Sequence, residues 1–273
     1  MIQQDFSFSG FAQQKFYRIL NARLIDMLEL GSGQRIVDLA CGTGAILKLI
    51  LERLRNARES VVIGIDQSSS ALQQAAKDLA SAKNAALEFV QSRVERLSRV
   101  VKGSVDTIVF CNGIHYIKDK GGLIREIRSV LRPGGIFAFN TSFFEGGQVP
   151  DSLRFYRRWM LKALKHLKYT YGLVPRKEDK VEARRQLSPD QYERLLEEGG
   201  LEVTRKEVHT VDMPLEGWLT ISQYEDFIAG VMPGVPLEKA SNSLKSAVKQ
   251  TFEELNLNVV PRNWLYMVAL RNQ

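Results

Sequence analysis

The sequence predicts an α/β protein: a doubly wound, mostly parallel seven-stranded sheet with an N-terminal helix and helical lid insertions. Over residues 31–140, five short apolar runs alternate with segments of helical periodicity. The first run leads into a turn with two glycines, and the second run ends in a carboxylate. Such alternation favours right-handed βαβ units, which bind ligands at the carboxyl ends of their strands.

The elements follow in order along the chain. Apolar spacing predicts an N-terminal helix over 11–30 that ends at Gly31. Ser68 is the predicted N-cap of the helix after the second strand, and Pro133 with its two following glycines ends the helix before the fifth strand. The predicted strands are 35–40, 61–66, 87–90, 105–110, 136–140, 201–210 and 264–270, and the other helices are 45–54, 68–82, 123–131 and one opened by Ser188 and Pro189.

The alternation of strands and helices indicates a single domain over 1–273. Its predicted parts are an N-terminal helical cap (1–30), a cofactor-binding core (31–140), a basic lid insertion (141–187) and a C-terminal part of the sheet (188–273) with a second cap insertion over 213–260.

Composition excludes several classes of protein. The 273 residues are 44% hydrophobic and 25% charged, which is typical of a globular chain. Two cysteines and three histidines are too few for a disulfide framework, and the sequence predicts no metal site. The first residues lack the pattern of a signal peptide, and no apolar run is long enough to span a bilayer. We therefore expect a cytoplasmic protein.

The net charge of +7 is concentrated in one segment. Residues 154–185 carry +8, and the rest of the chain carries −1. Such a segment can attract an anionic substrate, a nucleic acid or a membrane surface, or it can be the solvated face of a helix.

The most informative motif is Asp-Leu-Ala-Cys-Gly-Thr-Gly, from Asp38 to Gly44, on a strand-to-helix turn. Its glycines let a ligand approach the backbone, and Asp66 ends the next strand, where a carboxylate can accept hydrogen bonds from ribose hydroxyls. A dinucleotide site would have the pattern G-x-G-x-x-G and bind pyrophosphate. A carboxylate ahead of only two glycines instead favours a ligand that carries an ammonium group and no phosphate, such as S-adenosylmethionine.

With this motif, the sequence resembles the class I S-adenosylmethionine-dependent methyltransferases, specifically the small-molecule branch that includes the ubiquinone and menaquinone methyltransferases. The other matching stretches are Gly-Ile-Asp66, the fourth-strand segment 106–116, Leu-Arg-Pro-Gly-Gly135, and the late Leu-Ser-Pro helix that ends in Glu-Gly-Gly-Leu201. The resemblance extends over 11–140 and, less closely, over 187–210.

The resemblance implies a set of cofactor-binding residues. Those of the glycine turn would cradle the methionine part, Asp66 would hold the ribose, and Gln67 would lie along the adenine. Carbonyl groups near Cys111 and Asn112 would meet the ammonium group. Arg93 replaces the aspartate that usually reads the adenine amino group, and an arginine cannot accept that hydrogen bond, so the adenine would rest on the Val94 amide and on apolar contacts instead. The residues of the glycine turn are Asp38, Ala40, Cys41, Gly42 and Gly44.

Candidate catalytic groups are His115 and Tyr116, which follow the fourth strand, and His209, which ends the sixth. A base is needed only when the methyl acceptor must lose a proton, so a packing role is open for all three. Glu145, just past the fifth strand, is a candidate ligand of the acceptor.

Aromatic residues of the N-terminal helix and the two insertions predict an enclosed acceptor pocket, although an extension of the core would have the same composition. They are Phe11, Tyr17, Trp159, Trp218 and Tyr224. Over 153–171, the residues predicted to share an apolar face are Leu153, Tyr156, Met160, Leu164 and Leu167, with Phe155, Trp159 and Ala163 beside it. The basic residues Arg154, Arg158, Lys162 and Lys165 lie on the other face. This segment is predicted to be a lid helix, with peripheral membrane contact as the sharper alternative.

The sequence thus predicts a methyltransferase that uses S-adenosylmethionine and acts on O, N or C of a small, cyclic or lipophilic molecule. An RNA-directed methyltransferase with a basic lid and a cofactor-binding protein without transfer activity are the alternatives, and nucleic acid is the less favoured partner. A nicotinamide-dependent oxidoreductase is a weaker alternative. Both a monomer and a homodimer are compatible with the sequence.

Overall fold

The computed structural model describes residues 6–54, 59–82, 85–176 and 186–272. Four bases of the predicted basic segment, Lys177, Lys180, Arg184 and Arg185, lie outside the described residues.

Strands and helices alternate as the periodicity predicts. The strands are β1 (Arg35–Leu39), β2 (Val61–Asp66), β3 (Ala86–Gln91), β4 (Val105–Cys111), β5 (Leu131–Thr141), β6 (Leu201–Pro214) and β7 (Val259–Arg271). The helices are α1 (Ser9–Ala12), α2 (Lys15–Asp26), α3 (Ala45–Arg53), α4 (Ser69–Asp78), α5 (Leu97–Val100), α6 (Lys120–Val130), α7 (Leu153–Tyr171), α8 (Pro189–Glu198), α9 (Leu215–Ile221), α10 (Glu225–Val231) and α11 (Leu237–Glu254).

All seven strands belong to one sheet in the order β3-β2-β1-β4-β5-β7-β6. The first five strands are parallel, and β7 is antiparallel to β5. The predicted fold class is confirmed. The strand order reverses between β1 and β4, where Asp38 is opposite Val109, so the carboxyl ends of these strands form the crevice in which such sheets bind ligands.

The described residues divide into two compact units. The sheet unit comprises Arg18–Glu145, Arg185–His209 and Trp264–Gln273. Its central strands are buried on both faces, as expected of parallel strands covered by helices. The helical unit comprises Met1–Tyr17, Gly146–Arg184 and Thr210–Asn263. The single domain that the sequence predicts stays a prediction.

Several predicted elements have different bounds in the structure, and two of these differences are informative. The helix predicted over 11–30 is two helices, α1 and α2, and it ends at Asp26 rather than at residue 30. The helix predicted over 123–131 is α6, Lys120–Val130, and β5 includes Pro133 and the two glycines that the sequence predicts as a turn. The β4–β5 register shifts between Val105 and Thr107, which accommodates these extra residues.

Predicted helix caps are confirmed where side chains control the helix start. The Ser68 hydroxyl accepts a hydrogen bond from the Ala71 amide at 3.2 Å. Ser188 and Gln191 form a capping box, in which each side chain accepts from the other's backbone amide.

The buried face of α7 is centred on the residues that the sequence places beside the predicted apolar face. Phe155, Trp159, Ala163 and Leu167 are buried, so of the five apolar residues predicted to share that face only Leu167 is buried. In the helical unit, the Trp159 indole donates to the Leu244 carbonyl of α11 at 2.9 Å, because the aromatic residues rather than the leucines pack on that helix.

β6 is an edge of the sheet and has an exposed, charged surface. Its Lys206 pairs with Asp190 (2.8 Å) and Glu193 of α8, and Arg205 lies 3.8 Å from Glu29.

No described helix combines the length and the apolar character that crossing a membrane requires.

Candidate functional site

The glycine turn joins β1 to α3 through three residues with positive φ: Ala40 (54°), Gly42 (52°) and Gly44 (87°). A Cβ on Gly44 would lie 3.2 Å from the Ala75 Cβ, so this glycine allows close packing of α4. A Cβ on Gly42 would have no heavy atom within 4 Å. Gly42 therefore faces open space that a ligand can occupy.

Asp38 is the most unusual side chain of this turn. It is 1% exposed, and neither of its carboxylate oxygens has a hydrogen-bond partner among the described residues. Burial raises the pKa of Asp38 well above its ordinary value, and the charge of Asp66 raises it further. A buried carboxylate without a partner is costly, and a cationic ligand would relieve that cost.

Asp66, at the end of β2, ties the turn to the next strand. Its carboxylate accepts hydrogen bonds from the amides of Gly42 and Ser68, both at 2.8 Å. Each carboxylate oxygen retains lone pairs that can accept ligand hydroxyls. The neighbouring Gln67 carbonyl accepts from the Gln91 amide group at 3.1 Å, so β3 also fixes this corner. The sequence alone does not predict this role of Gln91.

Arg93 and Val94 follow β3. The Arg93 guanidinium lies 3.2 Å from the Glu95 carboxylate, and 66% of its side chain is exposed. Val94 is buried and begins a 3-10 turn. The Arg93 guanidinium thus forms an ion pair with Glu95. The predicted contact between the Val94 amide and adenine stays a prediction.

The end of β4 is held by a buried network of asparagines. Asn112 has a φ of 51°, and its amide donates to both the carbonyl (2.9 Å) and the side-chain oxygen (3.0 Å) of Asn140. The Asn140 amide nitrogen donates to Asn21 of α2 at 2.7 Å, and both side chains are fully buried. This network fixes the loop after Cys111, where the sequence predicts contacts to a ligand's ammonium group.

His115 lies in the loop after β4 and is 5% exposed. Its Nδ1 is 3.0 Å from the Thr141 hydroxyl, which accepts a hydrogen bond from the Phe143 amide at 3.1 Å. The Tyr116 ring lies 4.1 Å from the imidazole. The two neighbouring catalytic candidates thus have their rings in contact, and Thr141, which the sequence does not predict, orients His115.

The third candidate, His209, is in different surroundings. Its Nε2 is 2.7 Å from Glu207, which also pairs with Arg23 at 2.8 Å. Since β5 and β7 separate β6 from β4, three strand spacings, or about 14 Å, lie between the strand of His209 and that of His115. Glu145 has an exposed side chain, and its amide donates to the Leu187 carbonyl.

The predicted acceptor residues form two aromatic clusters within the helical unit. In one, the Phe8 ring contacts Phe11, Tyr17 and Tyr224 at centroid distances of 5.0–5.4 Å. In the other, Trp159 and Trp218 lie 5.3 Å apart. Four of the five predicted residues are 1–3% exposed, which favours the packing role that the composition left open; they are Phe11, Tyr17, Trp159 and Trp218.

Both cysteines are free thiols. The Cys41 sulfur lies under the turn, where a Cβ on Gly64 would approach it to 2.9 Å. Burial raises the pKa of both thiols, and the charge of Asp38 adds to this effect, so neither is a reactive thiolate. Among the residues that the structure describes, no cluster of His, Cys, Asp and Glu has the geometry to bind a metal.

Comparison of Gly42→Ala with a control variant distinguishes blocked ligand access from the cost of backbone strain. Gly33 also has a positive φ (74°) and open space around its Cβ position, so Gly33→Ala is a matched control. We expect each variant to lose about 1–2 kcal/mol of stability, the cost of left-handed backbone for alanine. Only Gly42→Ala should weaken binding of S-adenosylhomocysteine in a calorimetric titration. Equal affinities for the two variants would contradict a ligand at Gly42.

Comparison with known proteins agrees with this geometry. Residues 30–200 match the sequence profile of a methyltransferase domain. An uncharacterized chloroplastic methyltransferase of Arabidopsis thaliana is 30% identical over 149 residues, which cover 53% of this chain and 40% of the relative. The ubiquinone biosynthesis O-methyltransferase of Acinetobacter baylyi is 26% identical over 110 residues, 40% of this chain and 44% of the relative. The chain thus spans less than half the length of these two relatives.

A solved structure of Haemonchus contortus phosphoethanolamine N-methyltransferase 2, in complex with phosphomonomethylethanolamine and S-adenosylhomocysteine, has a similar fold. The TM-score is 0.58 at 18% identity, and the match covers 98% of this chain and 57% of the other. Since the sequence profile covers more than half of its length, this chain belongs to the methyltransferase domain family.

Proposed function

We propose that this protein is a methyltransferase that uses S-adenosylmethionine to methylate an oxygen, nitrogen or carbon atom of a small, cyclic or lipophilic molecule. The observation that carries the proposal is Asp38, a buried carboxylate without a partner, beneath a turn in which Gly42 faces open space. S-adenosylmethionine is a cation with an ammonium group, so it suits this acidic pocket.

The residues of the turn fit this cofactor. Asp38, Ala40, Gly42 and Gly44 would hold its methionine part, and the backbone at Cys41 belongs to the same cradle. Asp66 would accept the ribose hydroxyls, while Gln67 and the Val94 amide would hold the adenine. The carbonyls of Cys111 and Asn112 would accept hydrogen bonds from its ammonium group. When bound, S-adenosylmethionine supplies an electrophilic methyl group on a sulfonium sulfur.

The protein's own contribution is positioning and, for a protic acceptor, proton removal. His115 is the proposed proton acceptor, because it lies in the loop after β4 and Thr141 contacts its Nδ1. The proton of an acceptor hydroxyl would pass to the Nε2 atom of His115. The adjacent Tyr116 ring restricts the imidazole to this orientation.

The names of relatives support the proposed acceptor class. The A. baylyi relative is named for O-methylation in ubiquinone biosynthesis. The H. contortus enzyme is named for N-methylation, so the methylated atom stays open within the proposal. We further propose a cytoplasmic monomer or homodimer with a small-molecule acceptor rather than a nucleic acid.

A calorimetric titration with S-adenosylmethionine and S-adenosylhomocysteine tests the cofactor. Asp66→Ala should weaken binding by roughly 1–3 kcal/mol, because it removes an acceptor for the ligand and for the Gly42 amide. Asp66→Asn, which retains one oxygen acceptor, should lose less. Asp78→Ala, an exposed carboxylate on α4, is the control and should bind like the wild type.

Transfer of an isotope-labelled methyl group to lipophilic phenols then tests the reaction. Wild-type protein that binds neither ligand would overturn the proposal. Tight binding without transfer to phenols, amines or carbon acids would instead favour the cofactor-binding protein without transfer activity.

A further inference from the structure

The solvent-facing side of α7, in the helical unit, exposes several leucines. Leu153, Leu161 and Leu164 are 38%, 57% and 40% exposed. At 100° per residue these three leucines lie on one side of the helix, away from the buried Trp159 and Ala163. Three exposed leucines on one helix face form an apolar stripe that packing within the unit does not use.

The same face is positively charged. Arg157, Lys165 and Lys168 are exposed between the leucines, and the 19 residues of α7 include no aspartate or glutamate. Two other bases of the helix, Arg158 and Lys162, turn to Glu254 of α11, at 3.6 and 2.7 Å. Within the part of the chain that the structure describes, no carboxylate forms an ion pair with the three bases beside the leucines.

We propose that this face of α7, defined by Leu153, Leu161, Leu164, Arg157, Lys165 and Lys168, docks onto an anionic lipid surface. The transfer of leucine side chains from water to the acyl boundary is favourable, and lysines and arginines bind acidic headgroups. A nucleic acid would neutralise the charges but would leave the leucines in water. The docking does not depend on the proposed methyl transfer, and it would bring a lipophilic acceptor close to the protein.

Vesicle co-sedimentation tests the proposal with full-length protein. The wild type should bind vesicles of phosphatidylcholine with phosphatidylglycerol and should bind pure phosphatidylcholine far more weakly. Arg157→Gln/Lys165→Gln/Lys168→Gln should lower the partition coefficient about a hundred-fold, given the usual contribution of each base near an acidic surface. Lys77→Gln/Lys102→Gln/Lys118→Gln changes the net charge equally at exposed positions of the sheet unit, and it should bind like the wild type.

A second pair of variants tests the apolar contribution. Leu161→Ser should reduce binding about five-fold, since a partly exposed leucine loses part of its transfer free energy. Ile19→Ser is the matched control, because Ile19 is 60% exposed in the sheet unit. All substitutions in these four variants are at exposed positions, and unchanged circular dichroism spectra would verify that each variant is folded.

Three results would overturn the proposal: no wild-type binding to acidic vesicles, equal losses in test and control variants, or RNA binding through the same bases without any vesicle binding. Because S-adenosylhomocysteine titration is independent of vesicles, failure of docking is distinguishable from failure of the proposed chemistry.

Discussion

Asp38→Asn is expected to stabilise the ligand-free protein and to weaken S-adenosylmethionine binding at the same time. Burial, with a further contribution from Asp66, raises the pKa of Asp38 in the folded state. The wild type therefore loses stability as the pH rises from the ordinary pKa of aspartate through this raised pKa. Asparagine has no charge to bury, so the variant should gain about 1–3 kcal/mol above that window and nothing below it.

Ligand binding should change in the opposite direction. A cationic ligand favours the charged form of Asp38, so wild-type affinity should increase with pH, and binding should release a proton below the raised pKa. Asp38→Asn should bind about ten- to a hundred-fold more weakly, a change of about 1.4–2.7 kcal/mol. Calorimetry in two buffers of different ionisation enthalpy measures the number of protons released on binding. Asp78→Asn, at an exposed position of α4, should alter neither stability nor affinity.

The result that would contradict this account is a destabilised Asp38→Asn variant with wild-type affinity. Such a variant would indicate that the carboxylate has a structural role in the folded protein rather than a role as the partner of a ligand.

Trp159→Ala should have the largest effect on stability. Trp159 is 1% exposed, its ring lies within 6 Å of Phe155, Trp218 and Phe227, and its indole donates to Leu244. Removal of a buried tryptophan costs about 3–5 kcal/mol, a large share of the stability of most domains. Urea denaturation monitored by circular dichroism measures the loss.

Trp159→Phe distinguishes packing from acceptor binding. It retains an aromatic ring but removes the indole donor to the Leu244 carbonyl, so we expect a loss of about 1 kcal/mol and little change in the KM for the acceptor. Native stability with a strongly raised KM would instead support the acceptor contact that the sequence predicts.

The sheet and the glycine turn are predictable because their signals are local. Alternating apolar runs define parallel strands, and the positions of Asp38 and Asp66 follow from the strand ends. The side chain of Ser68 similarly caps its helix through an amide only three residues away. Each of these features depends on neighbours in sequence, which periodicity and residue type describe well.

The buried face of α7 and the asparagine network depend on distant contacts. Leucine spacing alone favours the face with Leu153 and Leu164, but Trp159 has a partner on α11, 85 residues away. Asn21 and Asn140 are 119 residues apart and have no local pattern of their own. Only the fold reveals that these two neutral side chains satisfy each other in the core.

The charged edge of the sheet has a consequence for the protein's behaviour in concentrated solution. An exposed strand edge such as that of β6 offers backbone donors and acceptors to any other extended chain. Association along this edge would have to displace the ion pairs of Arg205 and Lys206 or desolvate their charges. β6 therefore discourages strand-to-strand aggregation and keeps the 14-residue edge compatible with high solubility.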